Sequence, residues 1–184
     1  GTLDLGLGVA NALVNVTEAS NLLDSNPDNY ALMNNIVGVL TGTQITAKFA
    51  TVSSPTDVVK IKIGTPGTLL NLSLLSGISV QKYLGSAPIG SPIPINSNLI
   101  SLELLSGNQT AEIVVNSNDG PFDAVRLIRA GAVAALEQLR VYSFSRIPNI
   151  EMLDAQNNPT ALACPGQTFE ISMSDPCTTY AWYD

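Results

Sequence analysis

The sequence predicts an all-β protein: a β-sandwich module over residues 1–147, followed by the opening part of a second β-sandwich over residues 148–184. Three observations lead there. Short runs rich in Val, Ile and Thr are bracketed by clusters of Gly, Pro, Ser and Asn, the punctuation of strands and turns. Only 12% of the residues are charged against 45% hydrophobic, so the polar surface must come from Ser, Thr, Asn and Gln, a profile of extracellular β-proteins. The strands follow one another without interposed amphipathic helices, which favours a sandwich over a βαβ sheet.

Along the chain, strands are expected at residues 44–50, 57–63, 78–83, 99–105, 111–115, 124–128 and 136–144. Turn clusters at 51–55 and 64–67 separate the first three, and Asn116-Ser117-Asn118-Asp119-Gly120-Pro121 marks a long turn or hairpin. Helix is expected only at 9–19, where Ala, Leu and Val recur, and at 130–136. Residues 70–77 and 100–107 echo one another, each ending in Leu-Leu-Ser-Gly before a new strand. Two copies are too few for a solenoid, so they read as similar strand-turn-strand pieces of one sandwich. The module boundary falls at Ser145-Arg146-Ile147-Pro148-Asn149.

Residues 164–184 read as the start of an immunoglobulin-like domain, with a cysteine pair and a buried-type Trp182. Such a domain takes about 100 residues and some seven strands, far more than 148–184 supplies, so the sequence is expected to be a piece of a longer multi-module protein. Cys164 and Cys177 lie thirteen apart in that region, and a disulfide is the natural reading, with two inert thiols as the alternative. A bond there would place the protein in an oxidising compartment. Trp182 would then pack against it in the second domain's core.

Composition also narrows the chemistry. With no histidine, Ser-His-Asp and Cys-His catalysis and His-rich zinc sites are excluded. A net charge of −7 with eight scattered basic residues argues against nucleic acid as a partner. No apolar run approaches the roughly 20 residues that span a bilayer, so membrane insertion is not expected. No signal peptide opens the chain, which fits a mature fragment. No acid spacing suggests a glycosidase carboxylate pair, and the chain is expected not to be an enzyme.

The segment Asn21-Leu22-Leu23-Asp24-Ser25-Asn26-Pro27-Asp28-Asn29-Tyr30-Ala31-Leu32 resembles the loop near the start of galactose-binding-like (discoidin-type) jelly rolls. Residues 121–127 and 136–142 resemble that fold's closing strands. Together with the two Leu-Leu-Ser-Gly pieces, residues 3–147 look like a jelly-roll module repeated in very large surface proteins of Bacteroidetes-type bacteria, where Ig-like domains often follow. The resemblance implies secretion to the cell surface and a role as adhesin or extended stalk. Tyr30 stands where carbohydrate-binding relatives often carry Trp, and Gln138 where many carry a metal-ligating Glu; Glu137 is the nearest replacement.

Two kinds of site follow. Asp24, Asn26 and Asp28 offer oxygens to a structural calcium ion, which takes six to eight such ligands, with Glu137 as a further ligand; an ordinary Asx-rich turn is the alternative. Sugar binding needs an exposed aromatic platform, and Tyr30 and Tyr83 are the candidates. The expected partners are glycans or proteins of a cell surface or matrix. A mean hydropathy of +0.24 also makes self-association through apolar edge strands, as in a filament, a reading to carry.

Overall fold

The structure, a computed structural model, describes residues 16–24, 26–34, 42–54, 56–66, 75, 77–95, 98, 100–104, 110–115, 119–130, 138–148, 150–156, 166 and 170–173. Glu137, Cys164, Cys177 and Trp182 lie outside them, as do most of both expected helices and most of the Leu-Leu-Ser-Gly echo.

Twelve strands are described. In chain order they are β1 (Val16–Thr17), β2 (Ala31–Asn34), β3 (Thr43–Lys48), β4 (Val58–Gly64), β5 (Ile78–Leu84) and β6 (Ala87–Pro94), then β7 (Ile100–Leu104), β8 (Thr110–Val115), β9 (Ala124–Arg129), β10 (Gln138–Ile147), β11 (Ile150–Leu153) and β12 (Glu170–Met173). A six-stranded sheet runs β1-β2-β10-β4-β8-β7 and a four-stranded sheet β3-β9-β5-β6, with every neighbouring pair antiparallel. Setting aside β1 and β7, the orders β2-β10-β4-β8 and β3-β9-β5-β6 are those of a jelly roll, in which the chain crosses between two packed sheets. The fold is an all-β sandwich, as the strand pattern predicts. β11 and β12 pair antiparallel as a separate two-stranded sheet.

Alternation builds the core. On β4, Val59, Ile61 and Ile63 point inward while Lys60 and Lys62 point out; on β8, Ala111, Ile113 and Val115 point inward. Ile45 and Ala47 of β3, Ile78 and Val80 of β5, and Val125 and Leu127 of β9 answer them from the other sheet. Each fully buried aliphatic of this kind contributes roughly 1.5–3 kcal/mol.

One β-bulge rearranges the pattern. On β10, Leu139 and Val141 point inward, the register slips between Val141 and Ser143, and Phe144 becomes the next core residue. The extra residue switches the inward parity from odd to even positions. Arg140 and Tyr142 therefore face outward before the bulge, and Arg146 after it turns to the interior side.

Two expectations are corrected. The helix expected over 9–19 does not hold at its described end: Val16 and Thr17 pair with Met33 and Leu32 as strand β1. Glu18 then takes a left-handed φ of 58° before a 3₁₀ turn at Ala19–Leu22. Two β-branched residues favour the strand, and a left-handed residue ends any helix there. Strand β6 was not expected from the sequence, because Pro88, Pro92 and Pro94 mask it. It is an edge strand, where proline is tolerated. Gly90, with φ of 64°, sits where the register slips between the Val80↔Ile93 and Lys82↔Ile89 pairs.

Candidate functional site

The Asp24–Asn29 loop is closed by its own side chains. The Asn26 N–H donates to Asp24 Oδ1 at 2.9 Å, the Asn29 amide to Asp24 Oδ2 at 2.7 Å, and the Asp28 N–H to Asn26 Oδ1 at 3.1 Å. Asn29 N–H closes the turn on Asn26 O at 3.3 Å, with Pro27 pre-set at the second turn position. The Asn21 amide donates to Tyr30 O at 3.1 Å and ties the preceding 3₁₀ turn to the loop's end. The bonds to Asp24 Oδ1 and Asn26 Oδ1 are Asx-turn bonds, in which the side chain accepts from the backbone two residues on. Both Asp24 oxygens and Asn26 Oδ1 already accept hydrogen bonds from within the loop. No group of three His, Cys, Asp or Glu side chains that could hold a metal ion occurs among the described residues. The structure describes Asp24, Asn26 and Asp28 as a hydrogen-bonded turn.

Tyr30 leads from this loop into β2 and is not alone. Its ring meets that of Tyr142 edge-on, with centroids 5.5 Å apart. The Arg140 guanidinium lies 4.6 Å from the Tyr30 centroid, and Lys62 Nζ 5.0 Å from that of Tyr142. Lys62 Nζ also reaches Pro27 O at 3.5 Å, joining the cluster to the loop. All four side chains are half-buried. They share the outer face of the six-stranded sheet: β2 and β10 pair Arg140 with Leu32, and β10 and β4 pair Arg140 with Gly64 and Ser143 with Lys62. Such contacts are worth about 0.5–1 kcal/mol each at exposed sites.

Tyr83 lies on β5 of the other sheet, so the two candidate platforms do not combine. The Arg126 guanidinium covers one face of its ring at 4.4 Å and donates to its hydroxyl at 2.8 Å, while Arg126 Nε donates to Thr46 Oγ1 at 2.9 Å. One ring face and the hydroxyl of Tyr83 are thus already engaged.

A buried polar knot occupies one end of the sandwich. Lys82, only 1% exposed, points inward from β5, with Nζ 4.7 Å from the Phe122 centroid. Burial pushes its pKa down, opposed in part by the Asp119 and Asp57 carboxylates. Asp57, 2% exposed, accepts from the Ser54 N–H and pairs with Arg146 Nε at 3.5 Å. Arg146 also donates to Thr51 O at 2.7 Å and Thr51 Oγ1 at 2.9 Å and lies over Phe49, whose ring meets Phe122 edge-on. The β10 bulge is what turns Arg146 toward this knot.

Sequence reasoning named the Asp24–Asn29 loop and Tyr30 but not Lys62, Arg140 and Tyr142. A local signal for two of them existed, since Leu139 and Val141 alternate with Arg140 and Tyr142 and so send both outward. That Lys62 stands beside them depends on β4 being the neighbour of β10, which only the sheet order supplies. The chain matches no protein-family model and no curated protein. The functional reading therefore rests on the residues themselves.

Proposed function

We propose that the chain is a non-catalytic extracellular module of a large bacterial surface adhesin or stalk, of the galactose-binding-like kind its sequence resembles, serving adhesion or spacing. The observation that supports adhesion is the Tyr30–Tyr142 pair with Lys62 and Arg140, grouped on the outer face of the larger sheet beside a polar turn. The cell surface as its location follows from the same resemblance and from the low charge content. A Cys164–Cys177 disulfide would agree with it, and mass analysis with and without reductant tests the bond directly.

The second reading is a carbohydrate-binding module. It is favoured by the same pair of aromatics beside the exposed polar side chains of Asn26 and Asp28, the mix of apolar face and hydrogen-bonding rim that sugars require. Screening the purified protein on a glycan array, first with calcium and then with chelator, separates the readings. Glycan binding that disappears on substituting Tyr30 supports the carbohydrate module, and loss in chelator would add calcium to it through the Asp24–Asn29 loop. Silence in both conditions leaves a spacer or a protein-binding adhesin. Self-association is the third reading. Within the two sheets of the sandwich it would run through β1, β3 or β7: a proline in a strand paired on one side keeps its donor-less nitrogen on the other, so Pro88, Pro92 and Pro94 remove N–H donors from the open edge of β6.

A further inference from the structure

We infer that the ligand of the Tyr30–Tyr142 face is an anionic polysaccharide, one carrying carboxylate or sulfate groups on its pyranose rings; the inference rests on the carbohydrate-binding reading above and names its substrate class. Acids outnumber bases fifteen to eight in this chain, so a cation has ample opportunity to be paired. Lys60 is paired with Glu112 at 3.1 Å and Arg146 with Asp57 at 3.5 Å. Lys62 and Arg140 are not: neither has an ion-pair partner among the described residues. Glu112 stands directly across from Lys62 in the sheet register, yet its carboxylate bonds Lys60. Asp24, in the adjoining loop, spends its oxygens on Asn26 and Asn29. Arg140 Nε is buried with no hydrogen-bond acceptor among the described residues, and its guanidinium lies over the Tyr30 ring.

Two cations set on one aromatic pair, with Glu112 and Asp24 bonded elsewhere, leave charge on this face that no ion pair among the described residues compensates. The arrangement becomes favourable when an anion lies between them, and departures of this kind from local consistency concentrate at functional sites. The residue types select the anion. A guanidinium binds carboxylate or sulfate oxygens through charge-assisted N–H donors, and an ammonium adds a point charge. Tyr30 and Tyr142 would take the apolar face of a sugar ring, so the charge and the ring would be recognised together. A neutral glycan would leave both cations uncompensated.

The test is titration calorimetry on the full chain with oligogalacturonate, its methyl-esterified form, a sulfated galactan oligosaccharide free of uronic acid and a neutral galactan oligosaccharide. Arg140→Gln and Lys62→Gln are measured alongside, each checked for folding by circular dichroism. Binding of oligogalacturonate or of the sulfated chain, weakened by salt and absent for the ester and the galactan, is the expected result, and which of the two binds identifies the anion's source. Each substitution should weaken it by about tenfold or more, as expected for a charge-assisted hydrogen bond. Equal binding of neutral and anionic chains, or unchanged affinity in both folded variants, overturns the anionic inference and leaves the carbohydrate reading standing. Binding of no saccharide at all overturns both.

Discussion

Replacing Arg146 by Met should destabilise the sandwich by about 3 kcal/mol, the lower end of what removing one partner of a buried ion pair costs. The structure supplies the reason. Arg146 and Asp57 side chains are 10% and 2% exposed, so the substitution leaves the Asp57 carboxylate buried without the guanidinium it pairs with. It also removes two hydrogen bonds to Thr51 and a cation–π contact with Phe49. For a chain of this size about 3 kcal/mol lowers the melting temperature by roughly 6–12 °C. The control is Lys60→Met, which breaks the Lys60–Glu112 pair. That pair is shorter, 3.1 Å against 3.5 Å, but its side chains are 32% and 26% exposed. Water screens it, and its loss should cost at most about 1 kcal/mol. Urea unfolding followed by far-ultraviolet circular dichroism measures both. If Lys60→Met costs as much as Arg146→Met, or Arg146→Met costs under about 0.5 kcal/mol, then burial does not set the worth of these pairs and the bulge-directed knot is not a stabilising device.

Three further outcomes are expected. Burial holds the Lys82 pKa below its ordinary 10.5, so between the folded and unfolded values the unfolded chain keeps the extra proton. Stability contributed by this residue therefore rises with pH through that window and levels off above 10.5; Lys82→Met should abolish the slope, and a wild-type-minus-variant difference that falls with alkaline pH would contradict the assignment. Gly42→Ala should cost about 1–3 kcal/mol by overpacking, because a Cβ at that position would collide with the backbone oxygen of Arg129; an unchanged unfolding midpoint would mean that the backbone there yields without cost. Restoring donors to the β6 edge with Pro92→Thr and Pro94→Thr should increase self-association in light scattering at equal concentration, whereas a variant as monodisperse as the parent would show that the prolines do not guard this edge.

Much of the sandwich was legible because its signals are local. The strands β3, β4, β5, β8 and β9 were expected within a residue or two of where they lie, since Val, Ile and Thr at alternate positions between turn clusters need no distant partner to be recognised. Strand β6 escaped because its prolines are also the punctuation of loops; what makes 87–94 a strand is pairing with β5, a contact distant enough to be silent in a short window. The short strand β1 escaped for a related reason, as its two residues are held by Met33 and Leu32. At the candidate site, the Asx turn of Asp24 and Asn26 is written in neighbouring residues, and Tyr30 with it. The cluster that Tyr30 joins draws on Lys62 and on Arg140 and Tyr142, which only the order β2-β10-β4 brings to one face.

By itself, then, the sequence determined that this protein is built of strands, that histidine-dependent catalysis is closed to it, and where polar turns interrupt its core, because each depends on residue type and near-neighbour spacing. Tertiary structure alone decided which strands are neighbours, that one extra residue on β10 turns Arg146 to the interior, and that Lys62 and Arg140 meet two tyrosines on one face. Sheet order and register are settled by burying the two apolar faces against each other, a free energy that belongs to the whole sandwich and to no single segment.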